Sequence, residues 1–241
     1  LTVTFAPAAL AARRVSLRRS EIPAMFDVQF ARRQMIEQQV RAWDVFDLRV
    51  LEALQDVPRE EFVPAAYRDL AFADTGIPIG HGQAMLPPKL EGRLLQALAV
   101  QPDDQALEVG TGTGFFAACL GRLAGSVRTV DLFPEFVAGA TAALGRCGAR
   151  NVTPAVFDAM QLAEREAYDV IALTGSLPVY DARFERALKV GGRLFVAVGS
   201  GLLLEARRVT RTGTDEWRRE ILFETGMAPL IHAPEPPRFV F

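Results

Sequence analysis

An α/β fold built on a doubly wound, mostly parallel sheet is predicted by three features of this sequence. From about residue 103, short apolar runs alternate with helix-like segments. A glycine-rich turn, "GTGTG", joins the first such run to the segment after it. A final pair of longer strand-like runs then follows with no helix between them. Strands alternating with helices imply parallel βαβ units, and two consecutive strands imply an antiparallel hairpin at one edge.

The elements follow in order. Phe26, Phe30, Ile36, Val40 and Trp43 recur at roughly helical spacing and predict a helix over 26–43. A second helix is expected over 48–55, with Asp47 as its N-cap. The stretch "IPIGHGQAMLPPKL", residues 77–90, is too rich in Gly and Pro to read as a strand, so a shaped loop is expected. A helix beginning near Pro87 carries Leu90, Leu94, Leu95 and Leu98 on one face.

The sheet grammar then begins. "ALEV", "VRTVDL", "NVTPAVF", "YDVIALT" and "RLFVAVG" read as successive strands. "FFAACLGRLA", "PEFVAGATAALGRCG" and "ARFERALKVGG" read as the helices among them, the last two ending in glycine. Residues 202–225 read as two strands joined by a turn at Thr212–Asp215.

Composition narrows the class. The chain has 241 residues, 50% of them hydrophobic and 23% charged, enough to bury a core without disulfides. Two cysteines, Cys119 and Cys147, suit a reduced, cytoplasmic protein and argue against a metal site. A net charge of −2 argues against a nucleic-acid partner. No apolar run approaches the roughly 20 residues of a membrane helix, so no membrane partner is expected. Residues 1–24 differ: four arginines and one acid give +3, leaving −5 for the rest. They read as a mobile leader ahead of one domain over 25–241. Within that domain, 25–100 form a helical elaboration and substrate loop, and 101–241 the cofactor-binding sheet core.

"LEVGTGTG" places Gly110, Gly112 and Gly114 between a strand and a helix. Glycines there let the backbone turn tightly and approach a ligand, with a helix N-terminus behind it. A nucleoside-triphosphate loop is excluded because no Gly-Lys-Ser/Thr follows. A dinucleotide fingerprint is matched only in degenerate form, by Gly112, Gly114 and Ala117. Asp131, ending the next strand, is placed to accept from ribose hydroxyls, which both nucleotide classes require.

A resemblance decides between them. "LEVGTGTGFFAA", "VDLFPE", "YDVIALTGSLP" and "LKVGGRLFVAVG" together resemble the successive motifs of class I S-adenosylmethionine-dependent methyltransferases, which have a Rossmann-like fold. More narrowly, "REEFVPAAYRDLAFADTGIPIGHGQ" resembles the protein-L-isoaspartate O-methyltransferase family, over roughly Met35 to Gly199. The resemblance implies S-adenosyl-L-methionine as cofactor, S-adenosyl-L-homocysteine as product, and a protein or peptide bearing an isoaspartyl residue as acceptor. Carboxyl methylation in that family serves protein repair. By position, Glu108, Gly110, Gly112 and Gly114 would frame the cofactor, with Thr111, Leu132 and Ala159 beside them. Asp131 would take the ribose hydroxyls and Asp158 would sit near the adenine. Thr174 would line the floor where donor meets acceptor.

The 77–90 stretch aligns with the family's substrate loop, "P-I-G-x-G-Q-T-I-S", and departs from it. Ala84-Met85-Leu86 stand where that loop has Thr-Ile-Ser, so Leu86 occupies the position of the serine associated with catalysis. His81 and Gln83 remain as polar candidates. An acceptor carboxylate, with a pKa of about 4, is already ionised at neutral pH and needs no base. Catalysis then rests largely on in-line positioning, which accounts for the absence of a nucleophile–base pair. The expected activity is an S-adenosylmethionine-dependent O-methyltransferase acting on isoaspartyl carboxylates. The alternatives are a methyltransferase of the same lineage with a small or more apolar acceptor, or a non-catalytic cofactor-binding module.

Overall fold

In the computed structural model, which describes residues 27–236, the chain opens with helix α1 (Val28–Met35). The Asp27 carboxylate caps it by accepting from Phe30 N at 3.0 Å. The expected 26–43 helix is realised as α1 running on through a π turn (Ile36–Val40) and a 3-10 turn (Arg41–Trp43), ended by left-handed Asp44. Helix α2 (Leu48–Asp56) follows, with Asp47 accepting from Arg49 N as expected. The leader expected over 1–24 lies outside the described residues.

Residues 77–86 differ from the expected loop. Strands β1 (Ile77–Gly80) and β2 (Gln83–Met85) pair antiparallel as a separate two-stranded hairpin. Gly80, His81 and Gly82 are all left-handed, with φ of 103°, 51° and 70°, and close a turn few other sequences would tolerate. Pro78 fits because this ribbon has a free edge on each side. Helix α3 (Pro88–Leu98) follows with a proline at its first position.

The sheet core comprises β3 (Gln105–Val109), α4 (Phe115–Leu123), β4 (Ser126–Asp131), α5 (Pro134–Arg146) and β5 (Val152–Val156). It continues with β6 (Tyr168–Leu173), α6 (Arg183–Arg186), β7 (Leu188–Val198), β8 (Leu204–Gly213) and β9 (Glu216–Thr225). The helix expected over 182–192 is a single turn. Leu188 already pairs with Tyr168, and the next partners are Val170 and Arg193, so Lys189–Gly192 form a bulge. Gly191, at φ 84°, supplies the bend.

The strand order is β5-β4-β3-β6-β7-β8-β9. Pairs up to β7 are parallel, and β7–β8 and β8–β9 are antiparallel. The chain winds outward from β3 through β4 to β5, then returns to β6 on the other side of β3. That reversal opens a crevice at the carboxyl ends of the strands, where α/β sheets bind ligands.

Both faces of the central strands are buried, and alternation along them sorts the residues. Val170 and Ala172 join the core beneath α1–α5, whereas Ile171 and Leu173 join a second core with Phe184, Leu188 and Val196. Phe115, Phe184 and Phe195 are fully buried, each contributing about 1.5–3 kcal/mol. No helix among the described residues is long and apolar enough to cross a membrane.

Candidate functional site

The crevice is a cleft of about 340 Å³ at the ends of β3, β4, β5 and β6. Three segments of distant sequence build it: the glycine turn, the β1–β2 hairpin, and a C-terminal strap formed by residues 226–231.

The glycine turn forms its floor. Gly110 N and Thr111 N both donate to Val130 O, at 2.9 and 3.2 Å, tying the turn to β4. Gly110, at φ 104°, has no room for a side chain, because a Cβ there would overlap Thr174 Oγ1. The Thr174 hydroxyl lies 2.9 Å from the carbonyls of both Val109 and Gly110, so β6 buttresses the turn from behind. Gly114, at φ 85°, starts α4 and lies against Ala140 of α5.

Asp131 organises the next wall. Its carboxylate accepts from Gly112 N at 2.9 Å and from Phe133 N at 3.1 Å. Each oxygen keeps a lone pair for a ligand hydroxyl. Leu132 lines the cleft beside it. Asp158 caps the 3-10 turn Ala159–Gln161 by accepting from Met160 N, and Ala159 lines the same wall.

Glu108 and Thr111 sit one layer deeper, outside the main cleft. They border an adjoining cavity of about 40 Å³, together with Leu86, Glu91 and Thr174. Glu108 is fully buried. Its Oε2 accepts from Thr129 Oγ1 at 2.6 Å, and its Oε1 has no hydrogen-bond partner among the described residues. Burial holds the Glu108 carboxyl well above the usual carboxylate range, with the Thr129 hydrogen bond opposing and the charges of Asp131 and Glu91 adding to it.

The hairpin forms the opposite wall, with Gln83, Ala84 and Leu86 lining the cleft. Arg59, itself fully buried, anchors that wall. Its guanidinium donates to Leu86 O at 2.7 Å and Ala71 O at 2.8 Å, and pairs with Glu91 of α3. Burial pushes the Glu91 carboxyl up to about 7, Arg59 opposing. His81 stands apart from the lining residues. Its ring stacks on Phe133 at 4.1 Å and 17° and meets Phe136 edge-on, fastening the hairpin tip to the start of α5. In this geometry His81 is a docking residue of the hairpin.

Sequence reasoning missed the strap. Met227, Ala228, Pro229, Leu230 and Ile231 line the cleft as its third segment. Ser176 holds them, and the second histidine, His232, meets Asp158. The signal was present as a Gly/Pro-rich, apolar run with a histidine directly after the last strand. No cluster of three or more potential metal ligands occurs among the described residues. Cys119 and Cys147 are both free thiols.

Comparison with known proteins places this architecture. The sequence profile described as Protein-L-isoaspartate(D-aspartate) O-methyltransferase matches residues 31–233. A Protein-L-isoaspartate O-methyltransferase of Rhodopseudomonas palustris is 37% identical over 209 residues, covering 84% of this chain and 96% of the relative. One from Koribacter versatilis is 38% identical over 201 residues, covering 83% and 90%. Among solved structures, a Plasmodium falciparum protein described as a protein-L-isoaspartate O-methyltransferase, in complex with S-adenosyl-L-homocysteine, superposes with a TM-score of 0.71. At 18% identity, covering 83% of this chain and 97% of that one, it is a likeness of fold. The profile match and the identity to relatives, sustained across most of the chain, lead to one conclusion: the chain belongs to the protein-L-isoaspartate(D-aspartate) O-methyltransferase family.

Proposed function

We propose that the chain transfers a methyl group from S-adenosyl-L-methionine to the isoaspartyl α-carboxylate of damaged proteins or peptides, leaving S-adenosyl-L-homocysteine. The observation that carries this reading is the cleft at the sheet's reversal point, with a glycine turn on one side and the Asp131 carboxylate facing in. The residues present fit the cofactor. Asp131 offers carboxylate acceptors to a ribose. Leu132, Phe133 and Met160 give apolar surface for a purine. The Glu108 carboxyl borders the small cavity adjoining the turn and offers a polar group to any part of the cofactor that reaches into it.

When bound, the cofactor supplies an electrophilic methyl group. The chain's own residues then have to orient an acceptor and exclude water. An ionised carboxylate needs no proton removed, so the reading requires no side-chain base. The hairpin carries Gln83, whose amide reaches the cleft as a donor for the acceptor. Arg59, by clamping Leu86 O, fixes how deep that wall sits. Thr174 keeps the floor at one height by bonding to the Val109 and Gly110 carbonyls. Together these confine two reactants to one line of approach.

Leu86 favours a second reading. An apolar side chain lines the cleft where the family loop has a serine, which suits an acceptor with an apolar flank. One experiment addresses both. Methyl transfer from radiolabelled S-adenosyl-L-methionine is measured on an isoaspartyl peptide, its normal aspartyl twin, and cell extract. Labelling of the isoaspartyl peptide and not of its aspartyl twin is the expected result. No labelling of that peptide, with label entering small molecules of the extract, overturns it in favour of the second reading.

A further inference from the structure

We infer that His232 is a positioning residue for the cofactor: by pairing with Asp158 it fastens the strap across the cleft and slows cofactor release. The inference rests on the proposed use of S-adenosyl-L-methionine.

Two sets of hydrogen bonds fasten the strap, with Met227 and Leu230 packed against the cores beneath it. At one end Ser176, just beyond β6, makes three hydrogen bonds. Its N–H donates to Ala228 O at 2.8 Å, its hydroxyl to Met227 O at 3.0 Å, and its carbonyl accepts from Leu230 N at 2.9 Å. Gly175 beside it leaves room for the Leu230 side chain, which a Cβ there would overlap. At the other end His232 Nδ1 lies 2.9 Å from Asp158 Oδ2. Ile231 lies between these points, and both it and Leu230 line the cleft.

The second fastening differs in kind from the first. His232 adopts a left-handed backbone at φ 65°, uncommon for a residue with a side chain, and this turn aims its ring at Asp158. The imidazole is 62% exposed, so it fills no core and its removal leaves no cavity. Its partner, by contrast, belongs to the cleft wall. Asp158 Oδ1 caps the turn that presents Ala159 and Met160 to the cleft, and Oδ2 takes the histidine. Nδ1–H donates to the carboxylate, and the one bond both orients Asp158 and shuts the far end of the strap. Leu230 and Ile231 line the same cleft as Asp131 and Asp158, so this end of the strap is placed to retain a ligand held on that wall.

The test is the dissociation rate of tritiated S-adenosyl-L-homocysteine, chased with excess unlabelled ligand, alongside the association rate and the melting temperature of the ligand-free protein. The expected result for His232→Ala is dissociation about tenfold faster, the loss of roughly one hydrogen bond to a charged group. Association should change by less than about twofold, since affinity differences within one site lie mostly in the off-rate. The melting temperature should be unaltered. His232→Asn, which presents an amide N–H near the place of Nδ1, should recover most of the slow release. In an Asp158→Ala background the His232→Ala change should add nothing. An off-rate within twofold of the parent, or the same increase in the Asp158→Ala background, would overturn the inference while leaving the cofactor reading intact. Failure of the parent protein to bind S-adenosyl-L-homocysteine would overturn both.

Discussion

Thr174 Oγ1 occupies the space that a side chain on Gly110 would need. The two residues are 64 positions apart, yet one sets the height of the turn and the other can exist only as glycine. Gly110→Ala should therefore combine a steric overlap with left-handed backbone strain of about 1–3 kcal/mol. Cofactor affinity by calorimetry should fall at least tenfold, with a lower melting temperature. Adding Thr174→Ala removes the overlapping oxygen but leaves φ at 104°, so the double variant should regain part of the stability and not all of it. Full recovery would show that strain at Gly110 is negligible.

Asp131 has two duties, and they separate by substitution. Its oxygens hold the Gly112 and Phe133 amides and still face the cleft. Asp131→Ala should weaken S-adenosyl-L-methionine binding by about 1–3 kcal/mol, ten- to a hundredfold or somewhat more. Asp131→Asn keeps one acceptor oxygen and should fall between the two. Unchanged affinity in the alanine variant would remove Asp131 from the site.

Leu86 and Ala84 mark where this chain departs from the family loop. Leu86 borders both the main cleft and the small cavity containing Glu108 and Thr174, so a hydroxyl there has polar company. Leu86→Ser with Ala84→Thr should raise kcat/KM for an isoaspartyl peptide by roughly tenfold, through better orientation of the acceptor. A fall instead would mark the loop as shaped for an apolar acceptor.

Glu108 links the site to pH. Its folded pKa lies above the unfolded 4.5, so the folded state binds the extra proton, and stability falls as pH rises above about 4.5. Glu91 acts in the same direction between 4.5 and about 7. The melting temperature of the parent protein should thus decline from pH 5 to 8 more than its surface charges account for. Glu108→Gln cannot ionise and should flatten that decline, gaining on the parent as pH rises. Parallel curves would show that Glu108 does not change its charge in this range.

The sheet was legible because its grammar is local. Five short apolar runs, a glycine turn and a helix-stopping Gly148 each carry their signal within a few residues, and the folded chain follows them. The errors share a cause. Residues 77–86 look irregular because glycines and a proline dominate. Whether such a stretch pairs with itself depends on three successive left-handed residues, which composition does not reveal. Residues 182–192 look helical by periodicity, but Leu188 is claimed by Tyr168 across the sheet, and tertiary pairing overrides local preference. In the site, the placement of Gly110, Gly112, Asp131 and Asp158 along the cleft was legible from motif position. The Arg59 clamp on Leu86 O, the His81–Phe133 stack and the His232–Asp158 pair were not, since each joins segments more than 25 residues apart.

The strap also sets a sequence of events in time. Strands β3 to β9 make a complete hydrogen-bonded sheet by Thr225, before any residue of the strap is needed. The glycine turn and Met227 are separated by more than a hundred residues, and closing so long a loop is slow. During refolding the far-UV dichroism of helices and sheet should return first, and ligand retention should lag behind it. The lag belongs to a roof that has to find Ser176 and Asp158 on a scaffold already formed.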